Sequence, residues 1–149
     1  SYRAAVGVGG IAVKRAEGDA ITPVGTFALR RLLFRADRIK LPLTRLPTSA
    51  IAPDDGWCDA PGDAAYNQPV KLPYRASAEA LWRADHLYDL IVVLGFNDDP
   101  VVAGCGSAIF LHVAQDDYRP TEGCIALAKD DLLAVLAKLV PGDTITLGS

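Results

Sequence analysis

The chain of 149 residues contains no methionine, only two histidines and only three cysteines. Without a methionine it cannot have kept an initiator, so we expect a mature or trimmed form whose export signal has been cut away. Cys58, Cys105 and Cys124 are too few for a disulfide framework, and their odd number leaves at least one free unless it pairs with another chain. One bridge, Cys58–Cys105, stays open. No CxxC, HxxxH or HExxH spacing links the cysteines to His86 and His112, which argues against a zinc site. Nor is there a basic excess: 15 basic against 18 acidic residues give a net charge of −3. The charge that neutralises nucleic-acid phosphates is missing, so no nucleic-acid partner is expected. The longest apolar stretch, Leu90 to Phe96, falls far short of the roughly 20 residues a membrane helix needs, so no membrane span is expected. Ser1 opens no basic-then-apolar signal segment.

What is present suits one domain over residues 1–149. Half of the residues are hydrophobic and mean hydropathy is +0.19, enough for a sizeable core. Ala5 to Val13 carries small and β-branched residues around glycines and predicts a hairpin. Glu17-Gly18-Asp19 and Thr22-Pro23-Val24-Gly25 predict turns, and Thr26 to Arg35 a strand. Leu41 to Pro69 is rich in Pro, Asp and Gly and predicts a long loop region. Ser77 to Trp82 predicts a short helix with Ser77 as N-cap. Asp89 to Leu94 and Ser107 to Val113 predict buried strands. Leu132, Leu133, Leu136 and Leu139 line one face of a helix over Asp130 to Leu139, which Pro141-Gly142 stops. Asp143 to Leu147 alternates as a last strand. The class is mostly β with a few helices (α+β), a compact sandwich or barrel.

Chemistry concentrates between Ile109 and Leu127. His112 ends a buried strand and Cys124 follows twelve residues later. A thiol attacks as the thiolate and is only partly ionised near neutral pH, so a nearby imidazole can take its proton. Gly123 has no Cβ and leaves room for a substrate carbonyl, with backbone N–H groups at hand for an oxyanion. A buried small cysteine and a hydrogen-bonded histidine would look the same in sequence.

The segment resembles the active-site signature of the YkuD-type L,D-transpeptidases: a His, a variable stretch, then Ser/Thr-His-Gly-Cys, an apolar residue and Arg or Asn. His112, Thr121, Gly123, Cys124 and Ile125 match it. The upstream Thr-Pro-x-Gly-x-aromatic feature is matched by Thr22-Pro23-Val24-Gly25-Thr26-Phe27. Gly106 to His112 is similar to the family's strand into the histidine, and the likeness spans roughly residues 5 to 147. Departures are Glu122 for the second histidine, Ala126 for Arg or Asn, Val113 where many members have Gly, and a shortened His–Cys spacing. A short branch from Alpha- and Betaproteobacteria, associated with crosslinks to L-alanine, is similar in these departures.

The resemblance implies a YkuD-like fold and a periplasmic enzyme that acts on peptidoglycan stem peptides. Cys124 would form a thioester with a tetrapeptide stem, release D-alanine and pass the acyl group to an amine of diaminopimelate or L-alanine. His112 would be the base, oriented by the Val113 carbonyl, with the Gly123 and Cys124 N–H groups as oxyanion donors. Carbapenems would acylate the same cysteine, and no cofactor or metal is required. Alternatives are an L,D-carboxypeptidase of the same fold and a non-catalytic peptidoglycan-binding module.

Around this pair, Glu122 either binds an ammonium group or is a solvated carboxylate. Thr121 touches substrate or caps a turn. Arg119 holds a stem carboxylate or is solvated, and Tyr118 shares its loop. Trp57, Asp59, Tyr66 and Asn67 suit a sugar or peptide groove, or in the case of Trp57 a lid packed on the core. His86 reads as structural, at the end of the short helix.

Overall fold

The computed structural model describes residues 1–148. Twelve strands and one helix follow in order: β1 Ala4–Ala5, β2 Ile11–Ala12, β3 Thr22–Pro23, β4 Gly25–Phe34, β5 Thr48–Ala50 and β6 Asp55–Cys58. Then come β7 Pro69–Lys71, β8 Ala78–Ala80, β9 Leu90–Leu94, β10 Phe110–Val113, β11 Ile125–Leu127, α1 Lys129–Lys138 and β12 Thr144–Leu147. The protein is mostly β, as the pattern of strand and turn signals predicts. A seven-stranded sheet runs β1-β11-β10-β9-β4-β12, with β5 added beside β4. A small sheet β7-β6-β8 covers part of it, and β2 and β3 pair alone.

Alternation along the central strands divides the core in two. Leu90, Val92 and Leu94 of β9 join Leu32 and Phe34 of β4 and Leu111 and Val113 of β10 on one face. Leu132 and Leu136 of α1 pack there, fully buried, with Leu133 and Leu139 partly buried beside them. The opposite face takes Ile91, Val93 and Phe110, with Trp57 of the small sheet set edge-on to Phe110 at 5.0 Å. Because β9 is buried on both faces it reads as a continuous apolar run. Among the described residues no helix is long and apolar enough to cross a membrane.

Three local expectations are corrected. Ala5 to Val13 forms no hairpin: β1 pairs antiparallel with β11, and β2 pairs parallel with β3, so Thr22-Pro23 is strand rather than turn. The glycines between them turn the chain, with Gly10 N–H donating to the Gly7 carbonyl at 2.8 Å. Ser77 to Trp82 is no helix, because the segment is too short to repay nucleation and finds a ladder instead. Glu79 lies opposite Trp57 in the β6–β8 pair. The region from Leu41 to Pro69 holds β5 and β6 and is less irregular than its composition suggests.

Asp19 closes the Glu17–Asp19 turn. Its carboxylate accepts Lys14 Nζ at 2.6 Å and the N–H groups of Arg15, Ala16 and Ile21 at 2.9, 3.1 and 3.0 Å. Burial pushes its pKa up, but these donors outweigh it and hold the carboxyl well below the usual carboxylate range. A pKa depressed on folding stabilises above the unfolded value, about 3.9, and that contribution is lost as pH falls through the folded one. Asp19→Ala should therefore cost about 2–3 kcal/mol at neutral pH, with the deficit shrinking as pH drops below about 4. Urea unfolding of both chains at stepped pH checks this; a deficit constant down to strongly acid pH would refute it.

Candidate active site

The sheet register builds the site. β10 pairs parallel with β11, Leu111 opposite Ile125 and His112 opposite Ala126. Extending that register by one residue sets Cys124 level with Phe110, two positions from His112 along the ladder. Parallel neighbours usually need a helical crossover; here the loop from Ala114 to Cys124 suffices. Since side chains alternate, His112 shares the face of Phe110, which is the face toward the small sheet. Cys124 packs on that same cluster. Both line a cleft of about 680 Å³.

The cysteine loop is gripped by the N-terminal segment. Val8 N–H donates to the Thr121 carbonyl and Thr121 N–H to the Val6 carbonyl, both at 2.9 Å. Thr22 Oγ1 accepts the Gly7 N–H and donates to the Gly123 carbonyl, both at 2.8 Å. This grip explains two glycines. A Cβ on Gly7 would meet the Ala20 carbonyl oxygen at 2.2 Å, and Gly123, at φ +142°, adopts a backbone that side-chain-bearing residues rarely do. Thr121 braces the loop from within, its Oγ1 accepting Gly123 N–H at 3.1 Å and donating to the Cys124 carbonyl at 2.6 Å.

His112 is buried at 6% exposure, and its Nδ1 lies 2.9 Å from the Val113 carbonyl. A carbonyl only accepts, so Nδ1 carries the proton and Nε2 presents a lone pair in the neutral ring. Burial lowers the imidazole pKa, which the Val113 carbonyl partly opposes. The ring therefore rests neutral. Tyr88 meets it edge-on at 5.3 Å. The Cys124 thiol donates to the Ala108 carbonyl at 3.2 Å, and its sulfur accepts the Phe110 N–H at 3.4 Å. Burial and then the Glu79 charge push the thiol up to about 12, so it rests protonated. A neutral imidazole and a neutral thiol sharing one cleft can exchange a proton only when something stabilises the resulting ion pair.

Of the residues expected from sequence, Cys124, His112, Thr121, Glu122, Gly123 and Arg119 line this cleft. Val113 meets His112 through its carbonyl alone. The Gly123 N–H is occupied by Thr121 Oγ1, so it is not the free oxyanion donor expected of it. Tyr118 does not line the cleft; its ring lies under the Arg3 guanidinium at 4.2 Å. Trp57 is corrected as a groove residue. It is 5% exposed, donates from its indole to Asn67 Oδ1 at 2.9 Å, and borders a separate cavity of about 280 Å³. Asn67 and Tyr66 are buried braces. Tyr66 donates to Glu17 and accepts the Gly106 N–H. Asp59 does line the cleft, and its Oδ1 is buried without a hydrogen-bond partner. His86 sits on no helix and pairs with Asp89 at 2.8 Å. The open cysteine bridge is absent: Cys58 is a buried thiol and Cys105 an exposed one. Among the described residues no cluster of three His, Cys, Asp or Glu side chains could hold a metal ion.

Sequence reasoning missed Glu79, Tyr88 and Lys14, all of which line the cleft. The alternation Ala78-Glu79-Ala80 was the available signal for Glu79, since a strand isolates one charged side chain on its own face. Lys14 had none, because its burial at 3% exposure depends on Asp19 and on passing beneath Gly106.

Comparison with known families gives a match over nearly the whole chain. The YkuD model, described as the L,D-transpeptidase catalytic domain, covers residues 1–147. Curated proteins and solved structures gave none.

Proposed function

The chain belongs to the YkuD family of L,D-transpeptidase catalytic domains, and from that premise we propose that it crosslinks peptidoglycan stems by acyl transfer through Cys124. The family acts on peptidoglycan peptides, which suggests an extracytoplasmic role. We take the compartment to be the periplasm. The observation that carries the reading is that Cys124 and His112 share one sheet face in one cleft, with His112 held as the Nε2 base by the Val113 carbonyl.

The thiol turns from the Ala108 carbonyl and gives its proton to His112 Nε2. Sulfur attacks the carbonyl that joins the third stem residue to the terminal D-alanine. The oxyanion faces the Cys124 N–H, since that of Gly123 is taken by Thr121. Collapse breaks the C–N bond, and the imidazolium protonates the departing amine. An amine of a second stem then attacks the thioester, His112 takes its proton, and collapse returns a thiolate that recovers it. Glu122 suits the ammonium group of an incoming stem and Arg119 a stem carboxylate, both at the open edge of the cleft. The same thiol would open a carbapenem ring.

A muropeptide assay tests this. Purified chain with disaccharide-tetrapeptide should yield a dimer and free D-alanine, and fragmentation by tandem mass spectrometry identifies the amine used. Tripeptide alone would make the protein an L,D-carboxypeptidase. No product and no carbapenem adduct on Cys124 would overturn the enzyme and leave a binding module.

A further inference from the structure

One wall of the cleft belongs to the small sheet, and Tyr88 links it to His112. Glu79, on β8, accepts the Tyr88 hydroxyl in a short contact. Tyr88 stands two residues before β9, buried, with its ring edge-on to His112 at 5.3 Å and to Phe110 at 6.0 Å. The Arg83 guanidinium lies 5.2 Å from the centre of that ring. A buried phenol needs an acceptor, so the carboxylate decides where the ring sits. Resting on the acyl-transfer reading above, we propose that Glu79 is a positioning residue: through the Tyr88 hydroxyl it fixes the ring that backs His112, and it sets a carboxyl group in the wall of the cleft that Cys124 lines.

The groups around the pair support both halves. Glu79 of β8, Glu122 of the cysteine's own loop, Lys14 of the segment after β2 and Tyr88 line the cleft together with Cys124. Its nearest polar contacts are the Ala108 carbonyl and the Phe110 N–H. His112 is faced by Arg83, Asp85 and Tyr88. Burial, then Cys124 and Glu79, push the Tyr88 phenol far up, so it donates and does not ionise. Burial also raises Glu79, opposed by the hydrogen bond from Tyr88 and by Arg83, with the carboxylates of Asp59 and Glu122, which share the cleft, adding to the rise. With the carboxylate in place, a lone thiolate is disfavoured while a thiolate paired with imidazolium is tolerated. Ionisation of Cys124 is thereby tied to His112 rather than to bulk pH.

Two readouts separate positioning from mere structural support. The first is alkylation of Cys124 by iodoacetamide across about pH 6–10, followed on the Cys124 peptide by mass spectrometry. The second is turnover of disaccharide-tetrapeptide. Glu79→Gln keeps an acceptor for Tyr88 and removes the charge. It should speed alkylation at neutral pH by about tenfold for each unit the thiol pKa falls, and lower kcat about tenfold with KM little changed. Tyr88→Phe keeps the charge and should lower kcat without faster alkylation. Glu79→Asp, charged but shorter, should behave as Tyr88→Phe does and guards against a misfolded Gln variant. Wild-type alkylation in Glu79→Gln, or wild-type kcat in Tyr88→Phe, overturns the proposal. If the unaltered chain makes no product, the acyl-transfer reading fails, and the alkylation arm still judges the role of Glu79.

Discussion

Cys124→Ala is expected to reduce acyl transfer by at least about a thousandfold and to abolish carbapenem adduct formation, with the fold intact. The fold should survive because the thiol contributes only two weak contacts, to the Ala108 carbonyl and from the Phe110 N–H. Alanine fits the space the sulfur leaves, and the loop stays braced by Thr121 and Thr22. Cys58 and Cys105 serve as internal controls, one buried and one exposed, neither beside an imidazole. Intact-mass analysis after carbapenem exposure should show one adduct on the unaltered chain and none on the variant. An adduct of equal yield on the variant would sink Cys124 as the nucleophile.

His112→Gln should cost about a hundred- to ten-thousandfold in turnover, the range that a lost general base usually spans. Glutamine sets an amide where Nε2 stands and gives up the donor to the Val113 carbonyl, so the loss covers proton transfer and that contact together. The unaltered enzyme should also show a displaced acid limb. Burial lowers the His112 pKa, so the neutral, basic form persists below the ordinary imidazole value of about 6.5. Activity should therefore hold as pH falls through that value and fail only below it. A pH–rate profile with its acid limb at or above about 6.5 would contradict this.

The parts of the molecule legible in sequence are those whose periodicity or chemistry is local. β9 was legible because both of its faces are buried, and α1 because its leucines repeat at helical spacing. His112 and Cys124 stood out as a pair even though a sequence says nothing of parallel register. What escaped depends on partners distant in the chain. Glu79 is a strand residue because Trp57 lies opposite it, a pairing whose one local clue is the alternation Ala78-Glu79-Ala80. Trp57 read either as a groove residue or as a lid packed on the core, and Asn67 and Phe110 draw it into the core. Gly123 offered an N–H in sequence, and Thr121, two residues earlier, takes it. Gly7 read as part of a hairpin, because its reason for being glycine is the Ala20 carbonyl and the Cys124 loop.

The clasp of Val6, Gly7 and Val8 on Thr121 and Gly123 joins two segments far apart in the sequence. β1 and β11 extend the same union as a ladder. A ribosome releasing this chain delivers one half of the clasp long before the other. Cys124 therefore has no fixed surroundings until both segments have been made, and such distant pairings form slowly. Loss of the segment from Val6 to Val8 should therefore loosen the Cys124 loop without touching Cys124 or His112 themselves.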